Sequence, residues 1–363
     1  MNNLFTLFVT MLLLVSCSKD QGKKNTLPTK FTIDIPDNLS SNSSRGSRAD
    51  SIDGAGTYEL LRVFVKVAED AAEIVEGISY SLHAYRIDTV LEFTYSGDDG
   101  RRKELRVSQE VLYDNQQWDL ELTITDKDDA LIGMQVFWNR GGGEGIALLK
   151  PSIINYEDHK DKPNAIYKID YTEFSEDYDA RMIVSITTDN ITDQWGIDKM
   201  KLFVGRVDDV FELFGNSNLP NAGNLFSDYP NGGSYAFVAR SNESKDIAVA
   251  KVAIAPSQLS SNEEIFQNYN IKEVIINEII NDAHANGSID TAQIDAGSLE
   301  EMIFNWEGLI VNSDLPAYFN SRDGFMRSGQ RNRPSGFTSE FIDLNSLQPY
   351  APLEISQMTI SFK

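Results

Sequence analysis

The sequence predicts a β-rich α+β protein. A long N-terminal amphipathic helix is followed by an antiparallel meander, a curled sheet or partial barrel, and then by a second, mixed subdomain. Three observations predict this fold class. Apolar residues recur at helical spacing over residues 58–86, seven short segments after residue 88 alternate with the period of strands, and strand-like and helix-like segments mix beyond residue 195. Hydrophobic residues make up 41% of the chain and aromatic residues 10%, which is typical of an ordered globular protein.

The helix is predicted from apolar residues spaced three and four apart, which places them on one helix face. These residues are Leu60, Phe64, Val67, Ala71, Ile74, Ile78, Leu82 and Tyr85. Charged residues such as Glu69 and Glu73 occupy the other face, and Gly56-Thr57 supplies an N-cap. Such a stripe favours packing on a core, with binding of a ligand or partner as the alternative.

The period then changes from 3.6 to 2, and turn-forming clusters such as residues 96–100 and 140–143 separate the alternating segments. Seven strands joined by short turns predict an antiparallel meander, curled or closed so that its edges are protected. The predicted strands are 89–95, 104–113, 118–125, 132–138, 145–149, 165–171 and 182–187. A helix followed by such a meander resembles the half-barrels of lipoprotein-carrier proteins, which implies a helix covering one face of the sheet.

The second half mixes element types. We expect a helix within 262–284, and segment 358–362 alternates like a closing strand. The other expected elements are strands over 199–204, 235–239 and 247–254 and a short helix over 299–306. The predicted organisation is a signal peptide (1–16), a tether (17–56), helix plus meander (57–195) and a mixed α+β subdomain (196–363). The last two regions are also compatible with one domain.

The only cysteine, Cys17, directly follows an uncharged apolar run over residues 4–16. That run is too short to span a bilayer, which takes about 20 residues, but it fits a secretory signal. Leu14-Val15-Ser16-Cys17 resembles the lipobox of bacterial lipoproteins, and the following Ser18-Lys19-Asp20-Gln21 resembles the surface-export signal of Bacteroidota lipoproteins. The resemblance implies that Cys17 is acylated, for example with palmitate. The alternative is a lone buried thiol.

This lipobox also implies where the protein is located and what it contacts. The lipid attaches the chain to the outer membrane of the cell envelope, with the cell surface as the expected side and the periplasmic face as the alternative. A formal net charge of −23 excludes a basic nucleic-acid footprint, because phosphate backbones are repelled by such a surface.

No residue pattern in the sequence predicts catalysis. The three histidines, His83, His159 and His284, lack the spacing of metal ligands, and neither a G-x-S-x-G elbow nor a P-loop occurs. We therefore predict no catalytic residue, metal or cofactor. An envelope hydrolase whose carboxylates follow no motif remains an alternative, since 55 acidic residues offer many pairs.

Two polar segments are the candidate binding sites. The first is a predicted loop over 215–224 with Asn216, Asn218 and Asn221, which reads either as a turn-rich loop or as a set of amides facing a sugar. The second is a predicted loop over 322–333 that contains Arg322, Arg327, Arg331 and Arg333 and has a net charge of +3. Arginine forks bind phosphate, sulfate and carboxylate groups. Internal ion pairing with the acidic body is the alternative.

These observations predict that the protein is a non-enzymatic envelope lipoprotein that binds a glycan or another envelope component or has a structural role. Tryptophans stack on sugar faces in some proteins but more often belong to cores. The chain has four, Trp118, Trp138, Trp195 and Trp306. A carrier of an apolar ligand such as lipid in a half-barrel cavity is the second hypothesis.

Overall fold

In a computed structural model, the described residues are 58–85, 87–140, 143–155, 164–189, 191–193, 196–285 and 314–363. Their strands form one antiparallel sheet of 13 strands, and each strand pairs with its neighbours in sequence. The β-rich, antiparallel and curled architecture predicted above is confirmed, and the sheet remains open because β1 and β13 are not paired. The strands are β1 (Leu91–Ser96), β2 (Arg102–Tyr113), β3 (Gln116–Asp126), β4 (Leu131–Trp138), β5 (Glu144–Leu149), β6 (Ile166–Glu173), β7 (Ala180–Thr187), β8 (Lys199–Val207), β9 (Val210–Leu219), β10 (Gly233–Asn242), β11 (Ile247–Pro256), β12 (Ala317–Asn320) and β13 (Gly324–Ser328).

One long helix and several short ones accompany the sheet. The α-helices are α1 (Glu59–Ala84), α2 (Pro151–Ile154), α3 (Ile265–Asn268), α4 (Ile271–Ala285), α5 (Thr338–Leu344) and α6 (Pro352–Ser356). Within the described residues, no helix has the length and apolar character needed to cross a membrane. The strands on either side of the expected boundary near residue 195, β7 and β8, pair directly along their length.

Helix α1 packs on what we call the inner face of the sheet. Its apolar side chains join a buried cluster with residues from β2 to β12. Phe64, at its centre, is fully buried and stacks on Phe237 at 4.4 Å and on Tyr235 at 5.7 Å between ring centroids. The alternation of the strands places these residues on one side of the sheet, since successive side chains point to opposite faces. The helix therefore fills the inner face with side chains.

The C-terminal segment covers the opposite, outer face. Helix α5 lies on β10 and β11, and α6 lies on β8 and β9. Beyond α6, Ile360 and Phe362 pack against an apolar patch that includes Trp118 and Phe137. The backbone N–H of Lys363 then donates to the Gln135 side-chain oxygen at 2.7 Å. Residues 338–363 thus form a strap across much of the outer face, which extends from β11 to β3.

Three expectations for the second half are wrong. Residues 215–219 belong to β9 and not to a loop. Asparagine is depleted in strands, but here the strap provides a hydrogen-bond partner for Asn216 and Asp198 provides one for Asn218. The arginine-rich segment contains strand β13, whose few apolar residues hide its period. Residues 358–362 are no strand of the sheet; they alternate because they lie across its outer face. Segment 299–306 lies outside the described residues.

A buried ion cluster lies at the β1–β2 end of the sheet. The Lys103 ammonium contacts the Asp99 carboxylate at 2.9 Å and that of Asp126 at 2.8 Å. It also donates to the Ile153 carbonyl at 2.7 Å, and Arg101 reaches Asp126 at 2.8 Å from outside. All three donors of the ammonium thus have partners, which is the condition under which a buried charge is tolerated.

Candidate functional site

The four predicted arginines lie on the β12–β13 hairpin and in the turn that directly follows it. Arg322 stands at the tip of the β12–β13 hairpin and is 88% exposed. Arg327 belongs to β13, Arg331 to a 3₁₀ turn over Gln330–Asn332, and Arg333 follows that turn. All four are exposed, and we call these four residues the arginine face.

The backbone around β13 sets the position of each arginine. Arg327 lies directly across from Tyr318 in the ladder, next to a bulge between Tyr318 and Phe319. Gly329 adopts φ +85°, a conformation that glycine adopts without steric cost, and its N–H donates to the Pro316 carbonyl at 2.9 Å. The last two arginines directly follow this turn along the chain, in and just after the 3₁₀ turn.

Arg333 rests on the helix that covers this part of the sheet. Its guanidinium lies 5.1 Å from the ring centroid of Phe341 in α5, a cation–π distance. The positive charge of Arg333 also acts on the buried Tyr318: burial raises the pKa of this phenol, while Arg333 partly lowers it.

Tyr318 is the residue of this region that the sequence did not single out. It is fully buried, packs edge-on against Phe337 at 5.3 Å between centroids, and its hydroxyl has no hydrogen-bond partner in the described part of the chain. A tyrosine in a short apolar strand carries no sign of an unpaired hydroxyl. The features that draw attention to Tyr318, the bulge and the neighbouring arginine, are tertiary features that a sequence pattern does not contain.

We expect Tyr318→Phe to leave the free energy of unfolding unchanged or to raise it by up to about 1 kcal/mol, because a buried hydroxyl without a partner is costly. Chemical denaturation checks this. The matched control is Tyr229→Phe, whose hydroxyl donates to the Ile254 carbonyl at 2.8 Å and whose loss should cost about 1 kcal/mol. Equal destabilisation in both variants would show that the Tyr318 hydroxyl has a stabilising partner.

The acidic groups around the arginine face are paired with other cations. Asp314 binds Lys272 at 3.0 Å, Glu340 binds Lys245 at 2.9 Å, and Asp343 binds Arg240 at 3.2 Å, the last two on the helix that carries Phe341. Among the ion pairs of the described residues, the arginine face contributes one, between Arg322 and Asp323 at 3.8 Å. The expected alternative of internal pairing to the acidic body therefore accounts for little of its charge.

The asparagines are held inside the protein. Asn216 is fully buried and donates to the Tyr350 carbonyl of the strap at 2.9 Å, while its amide oxygen accepts from the Ser217 N–H at 2.8 Å. Asn218 donates to Asp198 at 2.7 Å, and Asn221 donates to the backbone of the loop before β8. In this structure the three side chains connect β9 to neighbouring segments, apart from the arginine face.

The remaining candidates fall into two groups. Trp118 and Trp138 are 2% and 1% exposed, and so belong to the core. Cys17, His159, Trp195 and Trp306 lie outside the described residues, and so does the side chain of His284. Within the described residues, no three side chains of His, Cys, Asp or Glu are grouped to hold a metal ion.

Comparison with known proteins supplies no relative. No protein-family model, no curated protein and no solved structure matches this chain.

Proposed function

We propose that this chain is a lipid-anchored protein of the bacterial outer membrane that binds an anionic envelope component, in the first place a glycan bearing phosphate, sulfate or carboxylate groups. Acylated Cys17 is the anchor, and the arginine face is the binding surface. The observation that carries the proposal is the set of four exposed guanidinium groups on a chain of net charge −23.

The chemistry of the arginine face supports this choice of ligand. Each guanidinium presents a planar fork of donors that matches two oxygens of a phosphate, sulfate or carboxylate. The nearby carboxylates of Asp314, Glu340 and Asp343 are already paired, so they do not compete for these donors. Since the chain as a whole is acidic and repels anions, the electrostatic field of the protein directs an anionic ligand to the arginine face.

The hypothesis of a carrier for an apolar ligand has less support. An apolar ligand in the curl of the sheet would need the space that the side chains of α1 occupy, among them Phe64. The binding role at the arginine face is therefore the one that the geometry favours.

The experiment is a glycan array with residues 22–363 and the double variant Arg327→Ala/Arg331→Ala. We expect binding of anionic glycans to weaken at least tenfold, because hydrogen bonds to charged groups are worth about 1.5–3 kcal/mol each. The matched control is Arg106→Ala/Arg140→Ala, which removes two exposed arginines far from β13 in the chain and gives the same net charge.

The control separates a site from a general charge effect. Equal weakening in both double variants would mean that only the net charge matters, and unchanged binding in Arg327→Ala/Arg331→Ala would remove the arginine face from the proposal. A blank array with folded protein, verified by near-ultraviolet circular dichroism, would contradict the glycan partner.

A further inference from the structure

We infer that the arginine face docks on the anionic lipid headgroups of the membrane that holds the anchor, and so turns one defined side of the body toward the bilayer. The inference rests on the lipid anchorage in the proposed function and names a second partner for the same surface. Three features of the described residues carry it: where the first of them packs, how the charge is distributed, and the shape of the arginine face.

The first described residue of the chain packs on the hairpin that carries the arginine face. The described residues begin at Tyr58, which is 1% exposed. Its ring packs on Phe319 of β12 at 5.6 Å and on Phe325 of β13 at 6.2 Å between centroids. The predicted tether, which starts at Cys17, is therefore joined to the body through Tyr58 at the β12–β13 edge.

The length of this tether keeps the arginine face near the membrane. Roughly 40 residues separate Cys17 from Tyr58, and a chain of that length reaches at most about 140 Å even when fully extended. Tethering over such a distance gives effective concentrations of up to the millimolar range. Contacts between guanidinium groups and lipid phosphates, each weak in free solution, are then sufficient to populate a docked state.

The charge distribution favours one orientation over the others. The arginine face has a net positive charge, while the remainder of the chain carries the whole acidic excess. A surface of anionic headgroups attracts basic groups and repels acidic ones within about a Debye length, about 8 Å at physiological ionic strength. Orientations that turn the rest of the body to the bilayer are repelled on average, because the remainder of the chain carries the acidic excess.

The shape of the arginine face suits a flat partner. Arg322 projects from the hairpin tip, and Arg327 lies on a strand at the open edge of the sheet. Small ligands are usually held in concave sites that bury most of their surface. Exposed arginines along a projecting edge instead reach several headgroups of a planar surface at once.

The test uses the lipidated full chain in vesicles of phosphatidylcholine with or without phosphatidylglycerol. Since Cys17 is the only native cysteine and is blocked by its lipid, Ser321→Cys places one free thiol at the hairpin tip for a fluorophore. The control label is Ser96→Cys, at the far end of the opposite edge strand β1. A spin-labelled lipid in the bilayer quenches a fluorophore that lies at the membrane surface.

We expect quenching at position 321 to exceed that at position 96 by about threefold on vesicles with phosphatidylglycerol, and to lose this excess at high salt, since headgroup attraction is screened. The Arg327→Ala/Arg331→Ala background should remove the excess, and the Arg106→Ala/Arg140→Ala background should keep it. Equal quenching at the two positions, or the same excess on neutral vesicles, would overturn the inference.

The outcomes distinguish this inference from the proposed function. A positive glycan array with equal quenching at the two positions overturns membrane docking and leaves the glycan partner in place. A blank array with strong quenching at position 321 does the reverse. Mass spectrometry of the mature N-terminus tests the anchor directly, and an unmodified Cys17 would overturn both the anchorage and the inference.

Discussion

Replacing Phe64 by alanine is expected to lower the free energy of unfolding by about 3–5 kcal/mol, the usual cost of removing a buried phenylalanine. Phe64 is fully buried in α1 and stacks on Phe237 and Tyr235 of β10. The substitution removes both ring contacts and leaves a cavity between the helix and the sheet. Guanidinium chloride denaturation, followed by circular dichroism, measures the change.

The neighbouring residue provides the control. Val63 lies one position earlier in α1 and is 46% exposed, so Val63→Ala should change the free energy of unfolding by less than about 0.5 kcal/mol. Similar effects for the two variants would contradict the placement of α1 on the inner face. A lower denaturant slope for Phe64→Ala would indicate that the helix detaches before the sheet unfolds.

Lys103→Met is expected to lower the free energy of unfolding by about 3–5 kcal/mol, because breaking a buried ion pair leaves an uncompensated charge. Lys103 is 1% exposed, and its ammonium faces the carboxylates of Asp99 and Asp126. Methionine has a similar shape but cannot offset either charge. Thermal or chemical denaturation at neutral pH provides the measurement.

An exposed pair on the adjoining turn is the matched control. Lys127 binds Glu104 at 2.6 Å with 42% of its side chain exposed, and pairs of this kind contribute about 0–1 kcal/mol. We therefore expect Lys127→Met to have a small effect. If Lys103→Met were equally mild, the two buried carboxylates would have to be protonated or hydrated in the variant.

The same cluster makes stability depend on pH. Burial tends to raise the pKa of Asp126, but hydrogen bonds from Lys103, the Asp128 backbone and Arg101 outweigh it and lower the pKa from 3.8 to about 2. Because the folded-state pKa lies below the unfolded one, this contribution is present above about pH 4 and is lost as the pH falls toward 2. The free energy of unfolding of the native protein, measured from about pH 5 down to about pH 2, the range in which carboxyl groups titrate, should show this loss. A flat profile would contradict it.

The sequence predicts the sheet well where one face is buried and the other is not. Strand β3 alternates polar and apolar residues from Gln117 to Thr125, and β2 does so from Glu104 to Ser108; such a pattern has one interpretation. Strand β9 was missed because Asn216 and Asn218 are turn formers by local preference. The partner of Asn216, the Tyr350 carbonyl, lies far along the chain, and no local pattern contains that information.

The candidate site was predictable only in part. The arginines are visible as a basic segment in an acidic chain, but their common edge depends on the pairing of β12 with β13 across the Arg322 turn. The role of Tyr58 depends on packing against Phe319, which lies more than 250 residues further along the chain. Sequence periodicity describes local structure, so it does not contain these contacts.

The meander and its strap have a consequence for how the chain matures. Because each strand pairs with its neighbours in sequence, the sheet can form strand by strand as the polypeptide is synthesised. Most of these steps close only a short loop, which has a low entropic cost. The patch around Trp118 and Phe137 differs, since Ile360 and Phe362 cover it. An early part of the sheet therefore keeps an uncovered apolar surface until the end of the chain has been synthesised, and in this interval the chain is most exposed to aggregation.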